Sequence, residues 1–143
     1  MIAPGKLVID ASVAVKWYVP EEGSEAASAI LARGDSLFSP DLLAAEFGNV
    51  IWKKVRKGEL DQFEAEEIIG AFISSGPVNL RPLSVFLGAA FDIAIRWKVT
   101  VYDALYLAVA MEESCALVTA DDRLVRGLRG TALEKNILSL AEV

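Results

Sequence analysis

Four acidic side chains stand where an apolar chain tolerates them least. Asp10 follows the apolar run KLVI, and Asp121 follows Ala-Leu-Val-Thr-Ala. Glu46 interrupts LLAAEFGNVIW, and Asp103 interrupts VTVYDALYLAVA. A carboxylate left on a buried face costs several kcal/mol unless something compensates it. No Lys or Arg lies one helical turn from Glu46 or Asp103, so a local ion pair does not supply the compensation. A divalent cation shared by several such groups would, and Mg2+ or Mn2+ suits an all-oxygen set of ligands.

Each acid also has a plainer explanation. Asp10 can cap the turn after a strand, and Asp103 can pair with Thr100 as a capping box. Asp121 and Asp122 can cap a short helix after Thr119, and Glu46 can face solvent in mid-helix. Asp92 serves as a control: it too interrupts an apolar helix, but Arg96 four residues on predicts an ordinary ion pair along the helix.

Composition narrows the chemistry further. The 143 residues include no histidine and one cysteine, Cys115. That removes Ser-His-Asp triads, Cys-His dyads, histidine zinc sites, paired-histidine ribonuclease chemistry, internal disulfides and thiolate clusters. The working groups must be carboxylates, hydroxyls, Lys or Arg, or a bound metal. Hydrophobic residues make up 54% of the chain and the net charge is −6. This excludes disorder and is compatible with apolar surface buried against another subunit or partner. The lone cysteine makes a reducing cytoplasm the expected compartment. The longest uncharged stretch, Ile68–Leu80, is broken by Ser-Ser-Gly-Pro, and the amino-terminal run meets Asp10 early, so neither a membrane span nor a signal peptide is expected.

The elements that must position the acids follow from local signals. KLVI reads as a buried strand, Ala11–Tyr18 as a short helix stopped by Pro20, and Ser24–Ala32 as a helix closed by Gly34. Leu37-Phe38 is a second strand, after which Ser39 as N-cap and Pro40 open a helix from about Asp41 to Lys57. Asp61-x-x-Glu64 is a capping box for a helix to about Ile73, and Val78–Leu80 is a strand. Ser84–Lys98 is helical, Thr100 opens a helix to about Glu113, and Ala116–Thr119 is a strand. A short helix to Gly127 and a strand at Ile137–Leu140 complete the chain. Short apolar strands alternating with helices predict one α/β domain over 1–143, with a central parallel sheet of about four or five short strands flanked by helices. Ligands of such sheets bind outside the carboxyl ends of the strands, where Asp10 and Asp121 fall.

The segments LVIDASV, PDLLAAEFGNVIWK, VTVYDALYLAVA and LVTADDRL, in that order and spacing, resemble PIN-domain nucleases. The likeness is nearest to the small VapC-type toxins of toxin–antitoxin modules. It runs from Leu7 to about Arg126, and the stretch after Gly127 is less distinctive. The resemblance implies a PIN-like fold and a Mg2+- or Mn2+-dependent endoribonuclease with Asp10, Glu46, Asp103 and Asp121 as its catalytic, metal-holding acids. It places Ser12, Asn49 and Thr119 in supporting positions, and leaves open whether Asp121 or Asp122 faces the metal. It also implies an RNA substrate, a protein antitoxin and a homodimer.

The net charge opposes RNA at long range, so local cations would have to compensate. Lys53 and Lys54, with Arg56 and Lys57, cluster at the end of the Glu46 helix, and Arg123, Arg126 and Arg129 follow Asp121. Helix-dipole complementation or plain solvation explains these clusters equally well. Trp17 and Trp52 could stack on bases or simply pack. Two other classes lack their signatures, since Asp10-Ala11-Ser12 is neither the acidic pair of a phosphoacceptor domain nor Asp-x-Asp of a haloacid-dehalogenase phosphatase. The remaining alternative is a catalytically inert PIN-like module that binds RNA or protein without cutting.

Overall fold

Alternation of short β-branched runs with amphipathic helices produces five parallel strands in the order β3-β2-β1-β4-β5. In the computed structural model, which describes residues 5–143, these are β1 (Lys6–Ile9), β2 (Ser36–Pro40), β3 (Val78–Arg81), β4 (Ala116–Thr119) and β5 (Ile137–Ser139). Residues 1–4, part of the single-domain span and of the amino-terminal run read above, lie outside the described residues. Parallel pairing demands a crossover after every strand, and the helices supply it. They are α1 (Ala11–Ala14), extended by a 3-10 turn at Val15–Trp17, α2 (Ser24–Arg33), α3 (Leu42–Arg56), α4 (Gln62–Ser75), α5 (Leu83–Trp97), α6 (Val101–Glu112) and α7 (Asp122–Leu128).

The strand order reverses at one place. The chain winds outward from β1 through β2 to β3, then returns along α5 and α6 to lay β4 on the other side of β1. Loops leaving β1 and β4 therefore diverge, and a crevice opens between their carboxyl ends. The register pairs Ile9 with Val118, which sets Asp10 level with Thr119 at the mouth of that crevice.

The core explains why the crevice is rigid. Val8 and Ile9 of β1, with Leu117 and Val118 of β4, are almost fully buried between helical layers. Helix α6 is buried without a break from Ala104 to Ala110, packed on α5 and on β1, β2 and β4. Phe47 of α3 lies on Phe72 with ring centroids 4.2 Å apart and meets Tyr18 edge-on at 5.3 Å. The Asp61–Glu64 capping box forms in both directions, at 2.7 and 3.0 Å. No helix among the described residues is long and apolar enough to cross a membrane.

Two local expectations give way to tertiary contacts. Ser39 and Pro40 end β2, paired with Leu80 and Arg81, and do not start α3. The buried Ser39 hydroxyl donates to the carbonyls of Ile9 and Phe38, a strand-to-strand tie that a cap signal does not reveal. The helix begins after Asp41, whose carboxylate accepts instead from the Leu83 amide at 2.9 Å. Asp92 and Arg96 form no ion pair: the guanidinium lies over the Trp97 ring at 5.3 Å, and Asp92 stays in water, which compensates its charge without help.

Replacing Phe47 by Ala empties the junction between α3, α4 and the α1 turn, which aims the adjacent Glu46. A urea titration should show a loss of about 3–5 kcal/mol in unfolding free energy. A loss below about 1 kcal/mol would contradict this packing.

Candidate active site

Each acid arrives at the crevice for a reason written in its own element. Asp10 is the first residue past β1 and caps α1, its Oδ1 accepting from the Ser12 hydroxyl at 2.5 Å and the Val13 amide at 3.3 Å. Asp121 stands two residues beyond β4 and caps α7, accepting from the amides of Arg123 and Leu124 at 3.1 and 3.2 Å. In both cases the capping bonds engage Oδ1, and the Thr119 hydroxyl is a further donor to the Asp10 carboxyl. The two strand ends are stitched together: Ser12 Oγ accepts from the Ala120 amide at 3.0 Å and lies 3.5 Å from Thr119 Oγ1. Thr119 Oγ1 in turn accepts from the Asp121 amide at 3.0 Å.

Glu46 and Asp103 come from above the strand ends. Glu46 sits in the second turn of α3, and its Oε1 accepts from the Tyr106 hydroxyl at 2.6 Å. Asp103 lies in the first turn of α6, its amide bonded to Thr100 Oγ1 at 3.1 Å. The return bond that would complete a capping box is not formed, so the Asp103 carboxylate stays available to the crevice. Asp10, Glu46, Asp103 and Asp121 line one cleft of about 380 Å³, together with Ser12, Asn49, Lys53 and Tyr106.

The electrostatics are those of unneutralised acids held close. None of the four forms an ion pair with a Lys or Arg among the described residues. Burial pushes the Asp10 carboxyl up to about 6, against the donors Ser12, Thr119 and Val13, and the Asp103 charge adds to the rise. Asp103 is raised by burial and then by the negative charges of Asp121 and Glu46. Burial, the bond to Glu46 and the charges of Asp10 and Asp103 hold the Tyr106 phenol well above its ordinary range. Each of these groups feels at least one other.

The other singled-out residues divide sharply. Asn49 and Lys53 stand on the cleft wall, one and two turns after Glu46. Asp122 turns away, accepting from the Ser139 hydroxyl at 3.0 Å in a different cavity that Arg126 also lines. Lys54 is committed to Glu21 at 2.9 Å, with Glu59 at 3.9 Å. Arg123 lines a second cleft beside the acids. Trp17 is half-buried, its Nε1 donating to the Ala27 carbonyl at 2.8 Å, while Trp52 is exposed with Arg56 over its ring. Tyr106 escaped the sequence reading, because a tyrosine in YLAVA looks like core. Its spacing of three residues from Asp103, on one helix face, was the available signal.

The donor set is carboxylate and hydroxyl oxygen, the chemistry of a hard divalent cation. Among the described residues no three acidic side chains already stand at the spacing of a closed metal cage. The cleft is an open bowl, a form that suits a cation retaining several waters.

An acidic cleft at the switch point of a parallel α/β sheet defines the class, and comparison with known proteins defines the family. The PIN domain family model matches residues 7–127. The chain is 38% identical over 122 residues to Ribonuclease VapC3 of Pyrobaculum aerophilum, covering 83% of this chain and 92% of that one. It is 33% identical over 85 residues to Exonuclease VapC9 of the same organism, covering 59% and 62%. The crystal structure of PAE2754 from Pyrobaculum aerophilum superposes with a TM-score of 0.66 at 26% identity, covering 95% of this chain and 84% of that one. The chain belongs to the PIN-domain family.

Two stability measurements test the site. The folded state holds the Asp10 proton up to about pH 6, whereas the unfolded chain releases it near 3.8. The folded state therefore binds more protons in that window, and this group's contribution to stability falls as pH rises through it. In metal-free buffer Asp10→Asn, which keeps a capping oxygen, should match the parent near pH 4 and exceed it by up to about 3 kcal/mol above pH 7. A constant gap across the range would contradict the burial of that charge. Tyr106→Phe keeps the ring but removes the donor to Glu46, and should cost about 1–3 kcal/mol by urea unfolding at pH 8.

Proposed function

We propose that this chain is a metal-dependent endoribonuclease that hydrolyses RNA phosphodiester bonds by water, acting as the toxin of a type II toxin–antitoxin pair. One observation carries the reading: four carboxylates share a cleft at the strand ends, and none of them forms an ion pair among the described residues, although Lys53 stands on the cleft wall. The similarity to a protein named as a ribonuclease over 92% of its length supports RNA as the substrate.

In this reading Asp10, Glu46, Asp103 and Asp121 hold Mg2+ or Mn2+, directly or through water. When bound, such an ion would supply an anchor for a phosphate oxygen, a more acidic water and stabilisation of the leaving oxygen. The chain's own residues do the positioning. Ser12 and the Val13 amide fix the Asp10 carboxylate at the end of β1. Tyr106 aims Glu46 from across the cleft, and the bonds from the Arg123 and Leu124 amides hold the Asp121 carboxylate at the start of α7. Asn49 offers an amide to a phosphate oxygen from the α3 wall. With no histidine to drive attack by the ribose 2′-hydroxyl, water is the nucleophile, and the products are a 5′-phosphate and a 3′-hydroxyl.

The partners follow from the same reading. Leu87, Phe91 and Ile95 present an exposed apolar row along α5, which supports a homodimer. A protein antitoxin and a cytoplasmic setting complete the proposal.

The test is cleavage of a circular RNA, which only an internal cut can open. Mg2+ or Mn2+ should support cutting, EDTA should abolish it, and Asp10→Asn or Glu46→Gln should slow it at least about 100-fold. A 2′,3′-cyclic phosphate end, or full activity in Asp10→Asn, would overturn the assignment. Binding without any cutting would instead identify an inert PIN-like module.

A further inference from the structure

The acidic cleft does not end at the acids. Asp103 and Asp121 also line a second cleft of about 400 Å³, bounded by the α5–α6 turn and the start of α7. Lys98 and Arg123 are its basic lining residues, beside Trp97, Thr100 and Leu124 among others. Asp103 and Asp121 are common to the walls of both clefts, which places the second beside the first.

Position sets these cations apart, since Arg126 and Lys135 are also without an ion pair among the described residues but line other cavities. Among the described residues Lys98 and Arg123 make no ion pair, and Lys53 on the opposite wall makes none either. Lys54, adjacent to Lys53 in sequence, is tied to Glu21, and Arg129 lies 3.9 Å from Glu142. Free positive charge thus stands at both ends of an acidic centre. Lys98 holds a left-handed backbone at φ 57°, closing α5 and turning the chain so that its side chain borders the cleft. An anion seated between Lys98 and Arg123 would gain charge-assisted contacts that offset repulsion from Asp103 and Asp121.

We propose that the Lys98–Arg123 cavity is a phosphate subsite for a single RNA strand that continues past the linkage held among the carboxylates, with Lys53 receiving the strand on the other side. The inference rests on the nuclease reading and adds to it the path of the substrate. It also separates basic residues by role: Lys53, Lys98 and Arg123 touch the strand, whereas Arg126, which opens into the Asp122 cavity, does not.

Fluorescence anisotropy with a short fluorescein-labelled single-stranded RNA tests this in an Asp10→Asn background with Mg2+, where cutting does not interfere. Lys98→Asn removes the charge while tolerating the left-handed backbone, and Arg123→Gln removes the second cation. Arg126→Gln and Lys135→Gln alter net charge equally at distant positions. Lys98→Asn and Arg123→Gln should each weaken binding roughly five-fold and flatten the plot of log Kd against log salt by about 0.7. The two distant variants should change the slope little. Equal weakening by all four variants would mean long-range charge alone, and unchanged binding in Lys98→Asn and Arg123→Gln would exclude the subsite; either overturns the proposal while the nuclease reading stands. If the parent neither binds the RNA nor, with Asp10 restored, opens a circular one, the nuclease reading falls and the subsite with it.

Discussion

The cost of holding several carboxylates together without a counter-charge governs the rest of this structure. Desolvation makes each negative charge expensive, and proximity makes the next one more so. The raised Asp10 and Asp103 carboxyls are direct expressions of that cost. The fold sustains it because the sheet and α6 are packed well enough to leave the acids no alternative arrangement. Carboxylates held in this way can take up protons, or they can share a cation.

Topology decides where the charge is collected. Reversal of strand order beside β1 parts the loops after β1 and β4, and the register of those strands brings Asp10 level with Thr119. Ser12 and Thr119 then connect the strand ends through hydroxyls. Both strand-end aspartates cap a helix and also line the cleft. The structural and chemical readings of such residues are therefore not rivals. A cap fixes the rotamer that the chemistry requires, and pre-orientation of this kind keeps a ligand set from relaxing outward.

Much of this was legible in the sequence because its signals are local. The bounds of β1 and β4, the Asp61–Glu64 capping box and the acids at strand ends depend on neighbours a few residues away. Features set by distant partners were not legible. Ser39 reads as a helix cap until the Ile9 carbonyl appears beside it. Asp92 seems to need Arg96 until α5 is seen to face water there. The division between Asp121 and Asp122 depends on where α7 begins, and that between Lys53 and Lys54 on Glu21, a residue 33 positions earlier than Lys54. Tyr106 shows the reverse error, since a polar atom was hidden within an apolar pattern. The lack of a local counter-charge grouped the acids into one set, and the family likeness then matched that set to a known pattern.

The proposed chemistry requires these oxygens to hold a divalent cation. Crystals soaked in Mn2+ and measured near the manganese absorption edge test it most directly. An anomalous peak inside the bowl bounded by Asp10, Glu46, Asp103 and Asp121, absent from crystals treated with EDTA, is the expected result. A map with no peak there, or with manganese only at surface carboxylates elsewhere, would contradict it.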